Sequence, residues 1–296
     1  MKIGIDMGGT KIEGIVLDNR GMELSRKRIP TPHGTYRDII SALVGLINEL
    51  HDTAGGQCTI GFGTPGSLNT EGLIRNSNTT ELNGKPLLDD LEAALKQAVR
   101  ISNDANCFTL SETVDGAATG YDNVFGVIIG TGTGGGLVLN GRLLTGSNNI
   151  AGEWGHNPLP WPTTDELPGK PCFCGKRGCI ETFLSGPALT AYFHAATGVR
   201  LSPAQIAVRA AQGDAKADAV LARYEDQLAR GLASVINLVD PQCIVLGGGL
   251  SNITRLYQRV PDLWTRHISS DSVNTQLLPP KHGDSSGVRG AAWLWD

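Results

Sequence analysis

The chain has 296 residues, 40% of them hydrophobic and 18% charged, with a formal net charge of −4. That is the composition of an ordinary globular protein with enough chain for about two domains. It excludes a basic footprint for nucleic acid or anionic membrane, and no apolar run nears the ~20 residues that a membrane span needs.

The opening "MKIGIDMGGT" has one lysine followed by an acidic residue, which is not the pattern of a signal peptide. A cytoplasmic location with reduced thiols is therefore expected. Residues 2–17 read as a strand, a Gly-Gly-Thr turn and a second strand, and "ELSRKRIPT" as a third. Over 35–51, Tyr36, Ile39, Ile40, Leu43, Leu46, Ile47 and Leu50 fall at helical spacing. "TIGFGTPG" reads as a short strand, 87–98 as a helix, "VRISND" as a strand, and a further helix begins at Asp104. The order is βββαβαβα.

The pattern then restarts. "NVFGVIIGTGTGGGLVLNGRLLTG" alternates apolar strands with glycine turns, and after an irregular middle a long helix covers 219–239, stopping at Asp240-Pro241. "CIVLGGGLS" runs from strand through glycine turn to helix, and "HGDSSGVRGAAWLW" closes the chain, with Asp284 or Ser285 as its helix cap. Two halves of similar order predict two α/β domains around a cleft.

Three glycine turns have the character of ligand cradles. "IDMGGTK" (5–11) sets Asp6 at a strand end before a tight turn. Its freed amides suit phosphate oxygens, and Asp6 suits Mg²⁺, directly or through water. The other reading is a plain β-hairpin. "GTGTGG" (130–135) has the spacing G-x-G-x-x-G, but a strand follows it rather than the helix that a dinucleotide site requires, so a second phosphate hairpin fits better. "LGGGLS" (246–251) either admits a flat nucleoside or is simply a close-packed strand-to-helix turn.

"ISNDANC" (101–107) puts Asn103 and Asp104 where a strand ends and a helix begins. Asp104 is either the cap of that helix or a carboxylate facing the cleft, where ligands of open α/β sheets bind. In the second case it can orient an attacking hydroxyl and accept its proton during phosphoryl transfer.

"GEWGH" and "CFCGKRGC" supply His156, Cys172, Cys174 and Cys179, spaced His-x15-Cys-x-Cys-x4-Cys. One imidazole and three thiols suit a closed, structural Zn²⁺ site. Unpaired surface thiols or redox sensing are the alternatives, although C-x-x-C is absent. Cys58, Cys107 and Cys243 lie in apolar settings and read as core. The segment "WPTTDELPGKP" (161–171) leads into the cysteine loop, as a lid or a subunit contact.

Together, "GIDMGGTK", "NDANC", "IGTGTGGG", "GEWGH", "CFCGKRGCIE", "VLGGGLS" and "HGDSSGVRGAA" make the chain resemble, nearly end to end, the ROK family of sugar kinases and sugar-responsive repressors. "AGEWGHNPLPW" and "CGKRGCIETFLSG" are most similar to its bacterial fructokinase/mannokinase branch, with the N-acetylglucosamine kinases close by. The resemblance implies an actin-like, ribonuclease-H-like fold. Its two domains would be residues 1–119 with 283–296, and residues 120–282, closing on ATP and sugar.

On the same resemblance, Asp6, Gly8, Gly9, Thr10 and Lys11 form the first phosphate loop, and Thr131, Gly132, Thr133, Gly134 and Gly135 the second. Gly247, Gly248 and Gly249 lie near the nucleoside. Asp104 is the catalytic base; Gly66, Asn78, Asn103, Glu153, His156 and Glu181 contact sugar. The expected activity is transfer from Mg·ATP to the 6-hydroxyl of fructose, or of N-acetylglucosamine or glucose as alternatives, by a homodimer. A repressor is disfavoured because the phosphate loop begins at residue 4, ahead of which no DNA-binding module fits.

Overall fold

The computed structural model describes residues 1–77 and 79–296, without the side chain of Asp284. The sugar-contact expectation at Asn78 and the capping expectation at Asp284 lie outside the described residues.

The first sheet is built from β1 (Lys2–Met7), β2 (Lys11–Leu17), β3 (Glu23–Pro30), β4 (Thr59–Thr64) and, later in the chain, β7 (Val99–Asn103). Its order is β3-β2-β1-β4-β7, antiparallel through the first three strands and parallel from β1 onward. Helix α1 (Tyr36–Ala54) begins with Thr35 and Asp38 bonding each other's backbone amides, and ends at Gly55 in a left-handed cap. Its apolar stripe packs on the sheet and closes a core that includes Ile3, Ile5, Leu43, Leu46 and Phe62. A small hairpin, β5 (Ser67–Leu68) and β6 (Ile74–Arg75), follows β4. Helix α2 runs Leu87–Leu95, stopping at a left-handed Lys96, three residues short of the expected end.

Helix α3 (Asp104–Val114) leaves the end of β7 and crosses into the second half. There β8 (Val124–Ile129), β9 (Thr133–Leu139), β10 (Arg142–Leu143), β11 (Cys243–Gly247) and β12 (Gln276–Leu278) repeat the first arrangement in the order β10-β9-β8-β11-β12. The pairing senses are the same, with β8 antiparallel to β9 and parallel to β11. This duplicated sheet is the actin-like ATPase fold.

The stretch expected to be irregular holds three helices from residue 181 onward: α4 (Glu181–Leu184), α5 (Gly186–Thr197) and α6 (Pro203–Ala211). The long helix α7 spans Ala215–Val239 and so starts four residues earlier than expected, because Asp214 accepts from the amides of Lys216 and Ala217. With α8 (Arg255–Trp264) it covers the second sheet and forms the larger core.

The terminal helix α9 (Ser286–Trp293) returns to the first sheet and packs on β1, β4 and α3. That packing is backbone on backbone: a Cβ at Gly61 would meet Ala291 O at 1.7 Å, and one at Gly290 would meet Cys107 O at 1.6 Å. Only glycine permits either contact. Buried Glu112 of α3 ties the entry of α9 down, accepting from Ser286 Oγ at 2.6 Å and Lys281 N at 3.0 Å. Ser285 occupies the cap position with helical rather than extended backbone (φ −89°, ψ −8°) and makes no side-chain cap bond; its hydroxyl accepts from Arg26 at 3.0 Å. No described helix is long and apolar enough to cross a membrane.

Candidate active site

The C-terminal ends of β1, β4 and β7 lie side by side, with Asp6 opposite Gly63 and Gly63 opposite Ser102. At the end of β7, Asn103 is extended (φ −74°, ψ 165°) and its Oδ1 accepts from Asn106 N at 2.7 Å. Asn103 is thus the cap of α3, which corrects the reading that gave this duty to Asp104. Asp104 becomes the first helical residue; its Oδ1 accepts from Ala105 N at 2.8 Å and its other oxygen is left to the cleft.

The carboxylate of Asp104 is open to water along the cleft, yet protein surrounds it at depth. Burial raises its pKa, a backbone hydrogen bond from Ala105 opposes the rise, and the charge of Glu153 adds to it. Because water reaches the group while the cleft is open, the full effect belongs to a cleft emptied of water. Asp6 behaves alike: burial first, then the charges of Asp104 and Glu13, push it up to about 7 against the pull of Lys11.

A cavity of about 570 Å³ lies above Asp104. It gathers Gly66, Asn103, Asp104, Thr131 to Gly135, Glu153, His156 and Glu181, so most of the residues expected from sequence do meet. In the second glycine loop, Thr133 N donates to Glu181 Oε2 at 2.9 Å, while the buried Thr133 hydroxyl has no partner among the described residues. The first loop, Gly8 to Lys11, does not line this cavity; Gly8 N donates to Lys11 O at 2.9 Å, and Gly9, Thr10 and Lys11 are exposed.

A second cavity of about 760 Å³ shares Gly130 and Thr131 with the first and is lined further by Gly249, Leu250, Pro187 and Pro203. Gly249 alone of its glycine triplet reaches it. A Cβ at Gly247 would strike the Phe108 ring at 2.5 Å, and one at Gly248 would strike Ile129 O at 2.5 Å, so both are packing glycines. A third cavity, about 830 Å³, lies elsewhere, between the end of α7 and β12. Its lining of serine, asparagine and apolar groups includes the single carboxylate Asp240, with no cluster of acids or bases.

His156, Cys172, Cys174 and Cys179 converge beside the first cavity, their ligand atoms all within 4.8 Å of one another. His156 Nδ1 lies 3.5 Å from Cys172 Sγ, and Cys174 Sγ lies 3.6 Å from Cys179 Sγ. Zinc bonds of about 2.3 Å to sulfur and 2.0–2.1 Å to nitrogen would give tetrahedral edges of ~3.8 Å and ~3.5 Å. The donor set therefore fits a four-coordinate ion, and the sulfurs are too far apart to be disulfide-bonded. Nδ1 faces the sulfurs, which leaves Nε2 on the cleft side, 3.9 Å from Glu153 Oε2.

The segment before this loop is fastened to α7. Buried Arg230 donates to both oxygens of buried Glu166, at 2.9 and 2.7 Å, and to the carbonyls of Pro160 and Trp161. These bonds offset much of the cost of burying both charges. Residues 161–171 are thus a fixed strap for the cysteine loop at this end. The sequence reading also left out Ser67, Asn76 and Phe173, which line the cavity. Of these only Phe173, an aromatic set between two cysteines in an aromatic-poor chain, carried a signal.

The sequence matches the model of the ROK family over residues 2–296. An N-acetyl-D-glucosamine kinase of Pectobacterium atrosepticum is 41% identical, with 99% of this chain and 98% of that protein covered. Among solved structures, the ROK hexokinase from Thermus thermophilus superposes with a TM-score of 0.88 at 32% identity, covering 99% and 97% of the two chains. A ROK family glucokinase from Streptomyces griseus, in complex with glucose and AMPPNP, gives 0.79 at 28% identity, covering 99% and 98%.

The raised pKa of Asp6 has a stability consequence. The folded state holds this proton up to about pH 7, whereas the unfolded chain releases it near 3.8. Asp6 therefore costs stability increasingly as pH rises between those values, and the full cost persists above them. In protein free of nucleotide and Mg²⁺, Asp6→Asn should raise the melting temperature over the parent by a margin that grows from pH 4 to pH 7 and then levels off. A margin independent of pH in calorimetry would contradict the assignment.

Proposed function

Because the chain belongs to the ROK family, we propose that it is an ATP-dependent hexose kinase acting on the 6-hydroxyl of a free sugar. The observation that carries this reading is a carboxylate lining the same polar cavity as a glycine loop whose buried Thr133 hydroxyl has no partner among the described residues. The two lobes, 1–119 with 283–296 and 120–282, would close over both substrates.

The roles follow from the chemistry of each group. The Ala105 amide holds one oxygen of Asp104, and the other accepts the proton of the sugar's 6-hydroxyl as that oxygen attacks the γ-phosphorus in line. The bond to the β–γ bridging oxygen breaks, and ADP leaves. Expelling water from the cleft raises the basicity of Asp104 at the moment it must accept a proton. Thr131 to Gly135 would meet the phosphates, with the Thr133 hydroxyl donating to one of their oxygens. The apolar neighbouring cavity at Gly249 and Leu250 suits the nucleoside.

Mg²⁺ fits beside Asp6, because a carboxylate crowded by Asp104 and Glu13 is short of positive charge. A bound Mg²⁺ would supply charge neutralisation for the phosphates. Gly9 to Lys11, being exposed next to Asp6, would then meet ATP on closure. Asn103 keeps its amide NH₂ for a sugar hydroxyl, since only its carbonyl is used in the cap. His156 would bind zinc through Nδ1 and turn Nε2 to the sugar, with Glu153 alongside. Glu181 joins the zinc loop to the phosphate loop, its Oε2 accepting from Thr133 N and its Oε1 lying 3.9 Å from Cys172 Sγ; with that thiol deprotonated on zinc, Oε1 would be available to sugar.

The identity of the sugar rests on two different supports. The curated relative at 41% identity is an N-acetyl-D-glucosamine kinase, which favours that sugar over the fructose expected from sequence. Two motifs, "AGEWGHNPLPW" and "CGKRGCIETFLSG", favour fructose, with mannose second. ADP release from Mg·ATP in the presence of N-acetylglucosamine, glucose, mannose or fructose separates them. Turnover of at least one is expected, and silence with all four, from folded and zinc-loaded protein, would overturn the kinase reading. The protein should also carry one equivalent of zinc by atomic absorption. Removing it with a chelator should raise the sugar KM roughly tenfold or more, a loss of about 1.4 kcal/mol; full sugar affinity in verified metal-free protein would refute the zinc assignment.

A further inference from the structure

Phe173 is 72% exposed, although it projects from a loop whose other contents are tightly bound. Its two neighbours, Cys172 and Cys174, both belong to the Cys₃His cluster, and the Cys172 amide closes the loop on Lys176 O at 2.8 Å. The ring itself meets the His156 imidazole edge to face, with centroids 4.9 Å apart and planes at 86°. The backbone on both sides of the ring is therefore tied down, and the ring itself rests on one imidazole. The ring lines the cavity above Asp104, on the wall that also carries Glu153, His156 and Glu181. An apolar ring on the lining of a binding cavity is placed to touch what enters that cavity.

A hexose has a polar rim of hydroxyls and faces of C–H bonds polarised by adjacent oxygen. The negative face of an aromatic ring attracts such C–H groups, and the ring excludes water from them. With the 6-hydroxyl at Asp104, the C1–C2 end of the sugar, remote from C6 in the ring, would reach other lining residues, among which are His156 and Phe173. Glucose, mannose, N-acetylglucosamine and fructose share their configuration from C3 to C5 and differ only at C1 and C2. Whatever touches that end is where these sugars can be told apart.

We propose that Phe173 is a specificity-determining residue, an apolar wall for the C1–C2 end of a neutral hexose, which rests on the hexose-kinase reading above. The cysteine cluster then has two products: it orients His156, and it presents the phenyl ring.

The test uses zinc-loaded, full-length protein with Phe173→Ala, Phe173→Leu and Phe173→Tyr. Sugar affinity is measured by calorimetric titration without nucleotide, and KM for each of the four sugars and for ATP by ADP release. In Phe173→Ala the Kd and KM of the preferred sugar should rise about tenfold. The kcat/KM ratio between sugars that differ at C2 should shift by about fivefold or more. The KM for ATP should not move, and Phe173→Tyr should retain parental affinity and selectivity. Unchanged sugar affinity, or an equal loss for all four sugars, would overturn the proposal. If Phe173→Ala loses its zinc, Phe173→Leu carries the test, and parental selectivity in that variant would show that the ring is not needed. Transfer to no hexose, together with sugar binding that Phe173→Ala weakens, would defeat the kinase reading and leave this inference standing.

Discussion

Asn103 accepts from the amide of Asn106, and that hydrogen bond of 2.7 Å settles what the neighbouring acid does. A helix start needs a side-chain acceptor for its orphan amides. Had Asp104 supplied it, its carboxylate would point along the helix. With asparagine in that position, the acid falls one residue later, on the first turn of α3 and facing the cleft. The helix that carries it touches the first sheet, the terminal helix and the second sheet at once. Asp104 is therefore mounted on the element that both halves share, and any closing movement of the halves is felt there.

The same arrangement is costly in the absence of ligands. Burial and the charges of Asp104 and Glu13 raise the proton affinity of Asp6, and burial with the charge of Glu153 raises that of Asp104. Such a cluster is stabilised by a cation and by hydroxyl donors, which are what a magnesium nucleotide and a sugar provide. The stability given up in the empty cleft is the counterpart of binding strength in the filled one. Glu13 itself is paired with Arg26 and Arg28, as Glu166 is with Arg230, whereas Asp6 and Asp104 make no ion pair among the described residues.

Much of this was legible in the chain itself. Alternating strands, glycine turns and the Asn103–Asp104 pair each carry a local signal, and His156, Cys172, Cys174 and Cys179 carry a chemical one. The parts that escaped have physical reasons. Helix α5 is mostly alanine and apolar residues with little polar contrast around its circumference, so no stripe marks it. The start of α7 is polar, and its only cue was the capping Asp214. For Gly247 and Gly248 the sequence left a ligand cradle and a close-packed turn both open, because the ring of Phe108 and the backbone of Ile129 that demand glycine there are not near them in sequence. The strap at 161–171 owes its fixed course to Arg230, some 64 residues away from its partner Glu166. Long-range contacts of that kind leave no periodicity to read.

The central claim is that Asp104 takes the proton from the attacking hydroxyl. Its most direct test is the single-turnover rate of Asp104→Asn with saturating sugar and Mg·ATP, alongside sugar binding by titration and the melting temperature. Removing a positioned base should slow transfer by about 10³-fold or more. Sugar affinity should change little, and the melting temperature should hold, since the asparagine amide oxygen can still accept from Ala105 N. Turnover within about tenfold of the parent, in a folded variant that binds sugar normally, would contradict the account.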